Sequence, residues 1–120
     1  MNTEQTVAQV IRSAGMLASA PLQLDLITNL IARMSQASPQ RGTGFLMMHE
    51  ETLPTLKKLA IATRFDVEYR QEQIQEGYQG YFYGMVVFTH DAIEKDAIYA
   101  AEIGREGNVI VSMGAKLIAA

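Results

Sequence analysis

The sequence contains no cysteine. A disulfide framework, a thiolate-ligated metal or iron–sulfur site and a thiol nucleophile are therefore all excluded. Charge is also scarce at one end, where residues 1–40 carry only Glu4, Arg12, Asp25 and Arg33. The net charge of −3 over 120 residues provides no broad attraction to nucleic acid or anionic lipid. No apolar run is long enough to span a bilayer, because Asp25, Asn29 and Arg33 interrupt the longest one. The opening Met-Asn-Thr-Glu-Gln lacks the basic start and apolar centre of a signal peptide. The expectation is a soluble cytoplasmic protein forming one domain over 1–120, with 48% apolar residues to build a core.

Two helices are predicted at the charge-poor end. Val7, Val10, Ile11, Ala14, Leu17 and Ala18 recur at helical spacing over residues 3–19, with Thr3 as N-cap. Ser19 or Ala20 would cap a second helix, with Pro21 in its first turn, running to about Ser35. Its apolar residues cover more than half the circumference, which requires burial on more than one side. These helices either form the domain's own core or present a face to another chain. In the second case Leu22, Leu26, Ile27, Leu30, Ile31 and Met34 would be the interface, with Asp25 and Arg33 at its rim.

The remainder reads as mixed sheet. Ser38 to Gly44 is a loop, and Phe45-Leu46-Met47-Met48 has the continuous apolar pattern of a central strand. Glu50 and Glu51 open a helix whose buried stripe is Leu53, Leu56, Leu59 and Ala60, with Pro54 in the first turn and Lys57 and Lys58 outward. Arg64 to Arg70 alternates as a half-exposed strand, and Gln71 to Glu76 is a polar loop. Tyr78 to Thr89 reads as two strand pieces bent near Gly84, followed by strands at Ala97–Ile103 and Asn108–Met113 and a small-residue tail. The fold class expected is α+β: two N-terminal helices (1–37), then a four- to five-stranded mixed sheet (44–114) with one helix packed on it.

No phosphate-binding glycine loop, nucleophile elbow or two-histidine zinc helix is present. Both histidines end a predicted strand and precede an acid, in Met48-His49-Glu50 and Thr89-His90-Asp91. Were the strands parallel, His49 and His90 would meet at the carboxyl edge and offer a metal or acid–base site. The simpler alternative is one local turn geometry used twice. The aromatic run Tyr78, Tyr81, Phe82, Tyr83 and Phe88 lacks the interleaved Lys and Arg of a base-stacking sheet, which predicts packing and no specific nucleic-acid binding. Arg41-Gly42-Thr43-Gly44 would present N–H groups to an anion or simply enter the strand. No cofactor is expected.

From residue 44 onward the order of segments resembles tailed-phage major capsid proteins. Phe45 through Leu53, leading to Leu56-Lys57-Lys58-Leu59, resembles their apolar-Met strand running into a helix. Gly80 through Asp91 resembles their glycine-led strand ending in Ser-Asp, with Met85 where proline is usual. Ala101-Glu102-Ile103-Gly104 and Asn108 to Val111 resemble their closing turn and strand, with Arg105-Glu106 in place of the usual residues. Complete shell subunits are more than twice as long, so the resemblance implies a short or partial relative of the shell fold. It implies a non-enzymatic phage or prophage protein, self-associating or joining a capsid shell, in the host cytoplasm or a virion. A small phage-encoded adaptor or inhibitor of a host protein is the alternative.

Overall fold

The computed structural model describes residues 2–38, 42–62 and 78–119. Its elements are α1 (Thr3–Ser13), β1 (Gly15–Met16), α2 (Leu24–Ala37), β2 (Thr43–Met48), α3 (Leu53–Ala62), β3 (Tyr78–Phe82), β4 (Met85–Thr89), β5 (Ala97–Ile103) and β6 (Val109–Lys116). A short 3-10 turn at Glu50–Thr52 precedes α3, so Pro54 falls in the first turn as expected. The expected strand at Arg64–Arg70 and the loop after it lie outside the described residues.

The strands form one six-stranded sheet in the order β1-β6-β5-β2-β4-β3. β2 runs parallel to β4 and antiparallel to β5, β6 is antiparallel to β5, and β1 is parallel to β6. The class is α+β, with a mixed sheet covered by helices. Alternation along the strands sorts the core into two layers. Leu46, Met48, Val87, Ile98 and Ala100 pack with α2 and α3, whereas Met47, Phe88, Tyr99, Ala101 and Ile103 pack with α1.

Both helix starts differ from expectation. Asn2, one residue before Thr3, caps α1: its Oδ1 accepts the Gln5 N–H at 2.8 Å, and Gln5 Oε1 accepts the Asn2 N–H at 3.1 Å. This reciprocal pair satisfies two donors that a helix end leaves open. α1 ends at Ser13 and not near residue 19, because Ala14 is extended (φ −63°, ψ 126°) and Gly15 joins the sheet. Leu17 thus packs with the α2 layer and not in the α1 stripe. α2 begins at Leu24, after Gln23, because Ala20 bridges to Leu117 and so holds Pro21 outside the helix. β6 extends to Lys116, taking Ala115 from the expected tail.

The β3–β4 hairpin turns at Tyr83 (φ 56°) and Gly84 (φ 79°). Two consecutive positive φ values match the primed turn that suits strand twist, and Gly84 adopts its value without a steric penalty.

α2 lies across β5 and β6. Leu26, Ile27, Leu30 and Met34 are buried there, with Leu30 at 0% exposure, and Leu22 and Ile31 are partly buried against the same cluster. The face that would have met another chain is therefore covered by the protein's own sheet. Of the two alternatives, the buried residues of α2 follow the first and form the domain's own core. On the outer side of α2, Asn29, Ala32, Ser35 and Gln36 are exposed and uncharged, beside the exposed charges of Asp25 and Arg33.

Candidate functional site

β2 and β4 are parallel neighbours with Met48 opposite Thr89, so His49 and His90 do come together at one sheet end. The His90 N–H donates to the Met48 carbonyl at 3.1 Å, which continues the ladder past both strands. Each ring then performs the same local task. His49 Nδ1 accepts the Glu51 N–H at 2.9 Å, and His90 Nδ1 accepts the Ala92 N–H at 3.0 Å. The repeated His-acid pattern is one turn geometry used twice.

This geometry bears on metal binding. An Nδ1 that accepts an N–H carries no proton, so the neutral ring holds its proton on Nε2. A metal on Nε2 would drive that proton onto Nδ1, directly opposite a backbone donor. A metal on Nδ1 would displace the capping bond. Among the described residues, no three His, Cys, Asp or Glu side chains gather to hold a metal ion. Nitrogen NMR at mildly alkaline pH should find both rings as Nε2–H tautomers, unchanged by added zinc. An Nδ1–H tautomer or stoichiometric zinc uptake would contradict this assignment.

The acids beside these turns belong to the surface. Glu51 meets Lys95 at 2.6 Å, and that hydrogen bond and charge hold its carboxyl below the usual range. Asp91 lies 3.4 Å from His90. Phe88 stacks on the His90 ring at 6.4 Å between centroids, and Phe45 meets Phe88 edge-on at the same separation. Phe82 and Phe88 are buried, so these two members of the aromatic run serve the core.

A cleft of about 600 Å³ opens over β2, between α1 and the β5–β6 turn. Phe45, Met47 and Phe88 are among its lining residues, with Thr43, Arg105 and Glu106 adding polar groups. Thr6, also in its lining, donates to the Gly107 carbonyl at 2.8 Å. The lining residues supply a basic, an acidic and several hydroxyl groups around apolar surface but no histidine.

Sequence reasoning missed Glu102. It is 3% exposed on β5, where its carboxylate accepts the Gly42 N–H at 2.8 Å and the hydroxyl of Ser38, the residue that closes α2. Glu102 thereby ties the end of α2 to the start of β2. The Gly42 N–H, considered above for an anion, thus meets a carboxylate from within the chain. The signal was available as a single charge inside the apolar strand Ala97–Ile103.

Among the described residues, no helix is long and apolar enough to cross a membrane. Family models, curated proteins and solved structures give no match to this chain.

Proposed function

We propose that the chain is a non-enzymatic structural protein that works by associating with copies of itself, as a short relative of tailed-phage shell proteins acting in the host cytoplasm. The supporting observation is the character of the outer surface over residues 2–38. Exposed positions there are filled chiefly by Gln, Asn, Ser, Thr, Gly and Ala, with few charges. Depletion of charge is one feature of the central part of protein interfaces, whereas free surfaces are rich in Lys and Glu; the Ser and Ala at these positions are not themselves favoured there. The histidine pair, used for capping, does not compete with this reading.

Light scattering after size exclusion tests it, together with negative-stain microscopy. Oligomers or particles are expected at micromolar concentration. A strict monomer at high micromolar concentration would sink the proposal. Stoichiometric recovery of one host protein by such a monomer would favour the adaptor role.

A further inference from the structure

The cleft beside α1 is assembled by strand register. Thr43, Phe45 and Met47 alternate onto the α1 side of β2. β5 sets Ile103 opposite Thr43, and β4 sets Phe88 opposite Met47. Met47, Phe88 and Ile103 are buried, whereas Phe45 is only partly covered, so the apolar floor stays open at Phe45. α1 rests on β6 and β5 and forms one wall.

The β5–β6 turn, Gly104 to Gly107, closes one end. It is braced from two sides. The Gly107 N–H donates to the Gly104 carbonyl at 3.0 Å, and the Thr6 hydroxyl of α1 donates to the Gly107 carbonyl at 2.8 Å. This turn carries Arg105 and Glu106 into the lining. Arg105 is exposed and, among the described residues, makes no hydrogen bond or ion pair, whereas Glu106 is engaged. The cleft therefore offers an apolar floor and an uncommitted guanidinium on a fixed support.

We infer that the cleft binds a small monocarboxylate with an apolar body, its carboxylate on Arg105 and its body over Phe45. The volume of about 600 Å³ falls within the range of small-molecule sites, about 300–1,000 Å³. A guanidinium fork matches a carboxylate through two parallel hydrogen bonds. One such cation, followed in the chain by an acid, suits a single negative charge better than a dianionic phosphate. Apolar surface at Phe45 gives the rest of the ligand a place to leave water. This inference is independent of the self-association reading.

Amide NMR titration of the full chain with 4-phenylbutyrate tests it, with 4-phenylbutan-1-ol as the uncharged control of the same body. A ligand of that size should bind with a Kd on the order of millimolar. Saturable shifts are expected at the amides of Phe45, Ile103 and Gly107, and the alcohol should bind about tenfold more weakly than the acid. Arg105→Gln should weaken the acid by about the same factor and leave the alcohol unchanged, with amide shifts away from the turn reporting an intact fold. Acid and alcohol binding alike, or a folded Arg105→Gln variant that binds the acid as wild type does, would overturn the carboxylate assignment. Absence of saturable shifts in the cleft would overturn the site altogether, whatever the oligomeric state.

Discussion

Leu30→Asp is expected to abolish the fold of the subunit, not to release a folded subunit from an assembly. Leu30 is fully buried among Ile27, Met34 and the residues of β5 and β6. The substitution removes about 1.5–3 kcal/mol of apolar burial. It also places a carboxyl where several kcal/mol more are lost unless it takes a proton. A domain of ordinary stability, about 5–15 kcal/mol, has little left after both losses. Thermal melting and near-ultraviolet circular dichroism check this. A cooperative melt close to that of wild type would show that Leu30 is not a core residue.

Gly114→Val should lower the melting temperature, with a loss of about 1–3 kcal/mol typical of overpacking. A Cβ at Gly114 would stand 2.6 Å from Tyr99 Cδ1 and 2.7 Å from Cε1, and Tyr99 is the residue directly opposite on β5. The ring is 3% exposed and has to move. Burial, aided by the charge of Asp96, now holds its hydroxyl above the usual tyrosine range. Moving the ring toward water should bring that ionisation back down, which a spectrophotometric titration reads independently of stability. An unchanged melt with an unchanged titration would refute the contact.

The elements legible in the sequence were those specified by local pattern. The period of α2, the apolar run of β2 and the turn at Gly84 each depend on neighbours within a few residues. β1 was not legible, because it exists only through Met113 and Gly114, nearly the whole chain away. The helical period also continued by coincidence through Leu17 and Ala18, which hid the exit of the chain at Ala14. The histidine pair was legible as a repeated motif. Its chemistry was not, since only the Nδ1 contacts show that the rings are acceptors. The charge-poor helices were read as buried in the domain's own core or against another chain, and the apolar face of α2 lies on the sheet of the same chain. Composition alone does not distinguish an apolar outer face from an uncharged polar one.

The pairing of β1 with β6 has a consequence for synthesis. α1 and α2 are made before β5 and β6, the strands on which both pack. Until residues 97–116 leave the ribosome, Leu26, Ile27, Leu30 and Met34 have no sheet to cover them. These two helices therefore gain their packing only after the later strands are made. Until those residues emerge, the apolar face of α2 stays exposed, as in the partly folded species that are prone to aggregate. A chain truncated before Ala97 should accordingly aggregate, because both helices would lack the strands on which they rest.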